Sequence, residues 1–116
     1  MRHKKKGKTL DRKKAPRELM LRNLAASIII YEKVKTTEAK AKAVKPLVER
    51  IITTSKQGDL KARRKLIAFL PQPKAVKKAM EVLGKRYKSR PGGYARIIKL
   101  SQREGDAAKI VQIELV

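Results

Sequence analysis

The sequence has no cysteine and no tryptophan, and it has one histidine and one phenylalanine. Without cysteine, disulfide bonds and thiolate zinc sites are excluded. His3 alone, with no cluster of acids beside it, cannot build a zinc site and has no visible partner for acid–base catalysis. We therefore expect no metal, no cofactor, no small-molecule substrate and no enzymatic activity. The scarcity of aromatic residues also predicts an aliphatic core.

Long apolar runs are absent as well. No stretch approaches the length that spans a bilayer, and no apolar segment of the signal-peptide kind follows the basic N-terminus. The expectation is a soluble cytoplasmic protein that does not bind membranes. A membrane-active cationic peptide is a poor alternative, because the several amphipathic helices need a core more than they need a bilayer.

Acidic residues are few. Ten Asp and Glu stand against 32 Lys and Arg, so the formal net charge is +22 over 116 residues. Self-repulsion at this density opposes compaction, and a polyanion is the compensating partner. Nucleic acid is the commonest partner of a chain this basic.

The first 15 residues contain eight Lys and Arg and one acid, a net charge of +7, and Leu10 is their only large aliphatic residue besides Met1. Such a segment cannot bury enough apolar surface to order alone. We interpret residues 1–15 as an arm that orders along phosphates and residues 16–116 as one globular domain; the alternative is a solvated tail. The arm's candidate RNA-binding residues are Arg2, His3, Lys4, Lys5, Lys6, Lys8, Arg12, Lys13 and Lys14.

The longest amphipathic segment runs from residue 34 to residue 59. It begins with a short strand at Val34, and Thr36 or Thr37 can cap the helix that follows. Its apolar positions recur at helical spacing, and Pro46 predicts a kink in a continuous helix. The positions on this face are Val44, Leu47, Val48, Ile51, Ile52 and Ser55.

The remaining periodicities predict helices over residues 16–32, 59–70 and 74–83, with Gly84 closing the last one. Alternating residues 94–100 and 110–116 predict a β-hairpin around a turn at Arg103–Asp106. The fold class is α+β, in two layers: helix, short strand, three helices and hairpin, with helices on one side of a small three-stranded sheet. Candidate RNA-binding cations on these elements are Arg17, Arg22, Lys35, Lys40, Lys42, Arg63 and Arg64. Lys77 and Lys78 are interpreted as a solvated face.

One loop concentrates four cations, two tyrosines and two glycines in the ten residues KRYKSRPGGY. Glycine lets a backbone approach another molecule closely, and bases stack on tyrosine or arginine planes while cations hold phosphates. The alternative is an ordinary loop. The candidate RNA-binding residues here are Arg86, Arg90, Gly92, Gly93, Tyr94 and Arg96.

Three blocks of the sequence resemble the L-seventeen family of bacterial large-subunit ribosomal proteins, in the family's order. They are MRHKKKGKTLDRKKAPRELMLRNLAASII, VKTTEAKAKAVKPLVERIITTSKQGD, and SRPGGYARIIKL followed by GDAAKIVQIELV. The resemblance implies a structural protein that binds large-subunit ribosomal RNA beside neighbouring ribosomal proteins, at one copy per ribosome. It implies the same α+β fold. It also implies that the basic start of the chain contacts ribosomal RNA.

Two other functions share some of these features. A DNA-binding architectural protein would have the same charge, but no helix-turn-helix or basic-zipper arrangement is visible. A nuclease or RNA-modifying enzyme would need an acid–base set or a metal, and the ten scattered acids supply neither. The sequence leaves open which RNA helices and proteins are contacted, whether the arm is ordered off the ribosome, and whether the source is bacterial or plastid.

Overall fold

The computed structural model describes residues 13–102, 105 and 108–116. Helix α1 (Lys14–Tyr31) leads to strand β1 (Lys33–Thr37), and then come helices α2 (Glu38–Ser55) and α3 (Leu60–Phe69). Helix α4 (Pro73–Lys78) continues through a π-helical turn (Ala79–Leu83) into the short helix α5 (Gly84–Arg86). Strands β2 (Ala95–Gln102) and β3 (Lys109–Leu115) follow. The predicted α+β class and order of elements are confirmed.

The three strands form one antiparallel sheet in the order β1-β3-β2. Val34 lies opposite Ile113 on one side of β3, and Ile97 lies opposite it on the other. The register of β2 shifts between Lys99 and Ser101, which leaves Leu100 as a bulge. The predicted turn Arg103–Asp106 falls outside the described residues except for Gly105.

Helices cover one face of the sheet, as predicted. Val111 and Ile113 are fully buried, whereas Gln112 and Glu114, which alternate with them, are partly exposed. Helices α1 and α2 both contact β3. The core between the layers is aliphatic apart from two tyrosines at its margin. Its fully buried large side chains include Ile28, Ile29, Val44, Val48, Ile52, Leu83, Val111 and Ile113.

Helix α2 forms where its periodicity predicts. The Thr37 hydroxyl accepts a hydrogen bond from the Lys40 N–H over 3.4 Å, so Thr37 is the cap rather than Thr36. Glu38 lies in the first turn, and the helix runs through Pro46 without interruption. Beyond its end, Gly58 takes the left-handed conformation, with φ +69°, and Asp59 caps α3.

Helix α1 begins at Lys14 rather than Pro16, so the last two residues assigned to the arm are helical. Its last turn includes Ile28, Ile29 and Ile30, which confirms the assignment of this β-branched run to a helix. Leu19 is an apolar residue of α1, yet it is more than half exposed. On α3 the same holds for Ile67. Both residues lie at the edge of a helical stripe, where no neighbouring element among the described residues covers them.

The prediction that Gly84 closes a helix is wrong. Gly84 has helical dihedral angles, φ −58° and ψ −38°, and the chain continues as α5. A Cβ atom on Gly84 would lie 2.6 Å from the carbonyl oxygen of Ser55, so only glycine lets these backbones meet. Ser55 is buried there, and its hydroxyl donates a hydrogen bond to the Ile51 carbonyl over 2.7 Å. Gly84 is therefore a packing residue.

Candidate nucleic-acid interface

Residues 87–94 connect α5 to β2 and carry the centre of the predicted interface, here called the glycine loop. Its two tyrosines pack against each other at its base, with ring centroids 5.2 Å apart and planes at 58°. Tyr87 is 4% exposed and Tyr94 is 1% exposed. A ring so deeply buried has no free face for a base in this structure, and the predicted contact of Tyr94 with RNA stays a prediction. Both rings support the loop from inside.

A lysine outside the loop anchors it. The Lys56 ammonium, just past the end of α2, donates hydrogen bonds to the Arg90 carbonyl over 2.6 Å and to the Tyr94 hydroxyl over 2.8 Å. The Tyr94 hydroxyl in turn donates to the Arg90 carbonyl over 3.1 Å. The hydrogen bond from Lys56 lowers the pKa of Tyr94. The carbonyl of Arg90 is therefore fixed by two donors, and Lys56 is committed to the fold.

The tip of the glycine loop is exposed and polar. The Arg90 Nε donates to the Gly92 carbonyl over 3.1 Å, so one donor of the guanidinium shapes the loop. A guanidinium has five N–H donors in a fixed fork, and the others remain available for phosphate. Gly93 has φ +64°, a conformation that favours glycine. No atom lies within 4 Å of a Cβ built on Gly92 or Gly93, so another molecule can approach both closely.

A second arginine of the predicted interface, Arg86, is held by an acid. Both of its terminal nitrogens bond the Glu32 carboxylate, which also accepts from Lys78 over 3.0 Å. These hydrogen bonds lower the pKa of Glu32 to about 2 and raise that of Arg86. Arg86 is therefore largely occupied within the protein.

Arg96 also bonds an acid, but through one nitrogen only. Its Nε donates to Glu114 over 2.7 Å, and its side chain is 61% exposed. The hydrogen bond from Arg96 lowers the pKa of Glu114, and Gln112 donates to the second carboxylate oxygen. The remaining donors of the Arg96 guanidinium face solvent beside the sheet. Lys42 is similarly paired with Glu38 over 2.7 Å, while its own side chain stays 56% exposed.

The remaining described candidates do not gather at the glycine loop. They are spread over the start of α1, strand β1, and helices α2 and α3. In the part of the chain that the structure describes, none of them has a carboxylate within 4 Å. These cations are Lys13, Lys14, Arg17, Arg22, Lys35, Lys40, Arg63 and Arg64. The predicted arm residues Arg2, His3, Lys4, Lys5, Lys6, Lys8 and Arg12 lie outside the described residues.

Residues 20–116 match the sequence profile of the family described as ribosomal protein L17. The chain belongs to this family. It is therefore a ribosomal protein, and a family of ribosomal structural proteins is not a family of enzymes. This finding confirms the resemblance that the three sequence blocks indicate.

Curated relatives of this family align over the whole chain. A protein of Solibacter usitatus is 51% identical over 116 residues, which are 77% of its own length. One of Syntrophotalea carbinolica is 48% identical, with 75% of its length covered, and one of Pelobacter propionicus is 47% identical, with 91% covered. Each of these proteins is named large ribosomal subunit protein bL17.

Two cations of this family member act as internal partners that sequence reasoning does not find. Lys78 has the pattern of a solvated residue, yet its ammonium also donates to the Ile30 carbonyl over 2.7 Å. Lys56 does not stand out in the sequence by its charge. A signal for Lys56 is nevertheless present, because it follows Val48 and Ile52 at helical spacing and so continues the buried stripe of α2.

Neither a metal cluster nor a membrane span is found in residues 13–102, 105 and 108–116. Within those ranges no three His, Cys, Asp or Glu side chains come together as metal ligands would. Across the same ranges, no helix combines the length and the apolar character that crossing a membrane requires.

Proposed function

We propose that this chain is a structural constituent of the large ribosomal subunit that binds and stabilises folded large-subunit RNA. Membership of the ribosomal protein family carries this proposal, and the names of the relatives supply the subunit. The net charge of +22 supports RNA as the direct partner, because a compact domain of this size needs counter-charge nearby.

The glycine loop and the basic N-terminal segment are the proposed contact regions. Lys56 fixes the backbone at Arg90, so the exposed Arg90 guanidinium is presented in one orientation. Gly92 and Gly93 carry no side chain that would keep an RNA backbone away. Arg96 adds a second exposed guanidinium at the start of β2. Exposed guanidinium forks of this kind suit phosphates that folded RNA brings close together.

The spread of the other free cations supports a wide footprint rather than a single cleft. Apart from Lys42, which pairs with Glu38, the candidate cations on α1, β1, α2 and α3 have no acidic partner among the described residues. Each phosphate that one of them neutralises releases counterions and steepens the salt dependence of binding by about 0.7 to 0.9 in log–log slope. In this proposal the chain binds at one copy per subunit, beside neighbouring ribosomal proteins.

Sedimentation through a sucrose gradient tests the subunit assignment. A tagged chain expressed in a bacterium is expected to sediment with the large subunit at about one copy, and to stay there after a moderate-salt wash, because many phosphate contacts must break together. If the chain instead moved to the top fractions or followed the nucleoid, the ribosomal assignment would be wrong for this chain.

A pair of double variants tests the loop assignment. Arg90→Ala with Arg96→Ala is expected to lower incorporation into subunits and to reduce the salt slope of RNA binding by about 1.4 to 1.8. Lys74→Ala with Lys77→Ala removes the same charge from exposed positions on α4 and serves as the matched control. Equal behaviour of the two double variants would assign the effect to net charge alone and remove the loop from the interface.

A further inference from the structure

A groove between α2 and α3 is lined by none of the predicted RNA-binding residues, although one of them, Arg22, lies on its α1 side. It has a volume of about 200 Å³, and its apolar wall is formed by Leu47, Ile51, Leu66 and Phe69. A second cavity of about 270 Å³, on the α1 side, shares Leu47 and Phe69 with the first. Leu47 and Phe69 therefore line both cavities, which together border α1, α2 and α3.

Cations surround this apolar surface. Arg50 and Lys65 line the α2–α3 cavity, and Arg22 and Glu18 line the α1 side. Three cations against one acid leave the groove with a net positive rim. No carboxylate lies within 4 Å of Arg50 or Lys65 among the described residues, and both side chains are exposed. An occupant with an apolar flat part and an adjoining negative charge fits this combination.

A hydroxyl in the groove is also unused. Helix α2 carries three consecutive hydroxyls, and two of them bond their own helix: Thr53 donates to the Glu49 carbonyl over 3.0 Å, and Ser55 to the Ile51 carbonyl. Thr54, between them, lines the cavity, and its hydroxyl makes no hydrogen bond within the part of the chain described. A partly buried hydroxyl beside an apolar wall can therefore both donate to and accept from a ligand.

The size of the cavity limits which ligands it can hold. The α2–α3 cavity has a volume of about 200 Å³, below the roughly 300 Å³ at which pockets for drug-sized molecules start. One flat heteroaromatic ring system is of the right size. Its polar edge would meet Thr54, and its phosphate would reach Arg50 and Lys65.

We propose that this groove receives one unstacked nucleotide of the bound RNA, with its base against Phe69 and Leu47, its edge on Thr54, and its phosphate on Arg50 and Lys65. The proposal rests on the proposed RNA-binding function and adds a site to it. Phe69 is suited to this role because Arg22 already lies over its ring, 5.0 Å from the centroid. Because the guanidinium covers one face of the ring, a base in the α2–α3 cavity would stack against the other face.

A tryptophan reporter tests the groove directly, because the natural chain has no tryptophan. Phe69→Trp places the reporter in the shared wall. Ile67→Trp places it on the same helix at an exposed position outside the cavity lining, as the control. Each full-length variant is titrated with folded RNA of a bacterial large subunit, while retention of the RNA is measured in the same samples.

Stacking with a base is expected to quench the tryptophan at position 69 and to shield it from acrylamide, with a smaller change at position 67. If RNA is retained but the two reporters respond alike, the groove inference is wrong and the RNA-binding function stands. If the position-69 signal changes only when other ribosomal proteins are added, a protein side chain occupies the groove and the inference is also wrong. If neither variant nor the natural chain retains RNA, the proposed function itself fails.

A second pair of variants tests the hydroxyl. Thr54→Val keeps the shape of the side chain and is expected to weaken RNA binding about three- to tenfold, the effect of one lost hydrogen bond. Thr53→Val, one residue earlier and exposed, is the matched control and should leave binding within about twofold. Equal affinities for the two variants would remove Thr54 from the site.

Discussion

Lys56 donates a hydrogen bond from Nζ to the carbonyl oxygen of Arg90, 34 residues further along the chain, over a distance of 2.6 Å. The same ammonium bonds the Tyr94 hydroxyl and lies 5.1 Å from the centroid of the Tyr94 ring. One cation at the end of α2 thus holds the middle of the glycine loop, at Arg90, and its C-terminal end, at Tyr94. The chain has 32 Lys and Arg, and Lys56 is one of those whose charged group forms hydrogen bonds within the protein.

Replacing Lys56 by Met should loosen the glycine loop. Methionine keeps the length of the side chain but has no donor, so two acceptors lose a hydrogen bond, and the free energy of unfolding should fall by about 1 to 2 kcal/mol. Hydrogen exchange should accelerate at residues 88–93. Lys61→Met removes the same charge from an exposed position on α3 and should change neither quantity. Unchanged exchange in the loop of Lys56→Met would contradict the anchoring role.

The Glu32 carboxylate predicts a specific pH dependence of stability. Because its pKa falls from an ordinary value of 4.5 to about 2 in the fold, the stability it contributes is present above pH 4.5 and is lost as the pH falls toward 2. The carboxylate is about a third exposed, so solvent screening reduces this contribution to about 1 kcal/mol. Urea unfolding followed by circular dichroism should show this loss for the natural chain.

Glu32→Gln provides the control for that titration. The variant should be less stable than the natural chain by about 1 kcal/mol at neutral pH, and the difference should shrink as the pH falls from 4.5 toward 2. A difference that stayed constant across this window would show that Glu32 acts through packing rather than through its charge.

Gly84→Ala should destabilise the fold even though alanine is the better helix former. The new Cβ would lie 2.6 Å from the Ser55 carbonyl oxygen, a backbone atom that cannot turn aside. Overpacking of this kind costs about 1 to 3 kcal/mol. Gly92→Ala is the matched control, because a Cβ there meets no atom within 4 Å, and it should leave the melting temperature nearly unchanged. Equal melting temperatures for the two variants would contradict the close-packing role of Gly84.

Glu114→Gln should strengthen RNA binding at low salt. Glu114 holds one donor of the exposed Arg96 and adds a negative charge beside it, so the neutral amide frees a guanidinium for phosphate. The affinity should rise about twofold, and the gain should fade with added salt because the charges are exposed. In the Arg96→Ala background the same change should have a smaller effect. An equal gain in both backgrounds would point to general electrostatics.

Much of the fold could be predicted because local signals agree with tertiary packing. Helix α2 is defined by its apolar spacing, the Thr37 cap and Gly58 beyond its end, and all three are present in the structure. The strands of the hairpin follow from alternation, and β1 follows from the need of a two-stranded hairpin for a third strand. These elements depend on neighbours in sequence or on a single burial pattern.

The structure departs from the expectations based on sequence where a residue far away in the chain determines how a side chain or backbone packs. Gly84 carries the signal of a helix end, but the backbone of Ser55, far earlier in the chain, gives it a different role. Tyr94 has the composition of an RNA-stacking residue, but Tyr87 and Lys56 enclose its ring. Cation counts also do not distinguish Arg86, which Glu32 holds, from Arg90, which is exposed. Predicting these pairings requires the tertiary arrangement.

The order of the strands has a consequence for synthesis. Strand β3 follows β1 and β2 in sequence but lies at the centre of the sheet, and both β1 and β2 pair with it rather than with each other. During synthesis, β1 therefore has no strand to pair with until β3 has emerged from the ribosome that is making the chain. Helices α1 to α3 can associate earlier, since their contacts are closer in sequence. The sheet therefore closes after the helices have begun to associate, once β3 is available to pair with β1 and β2.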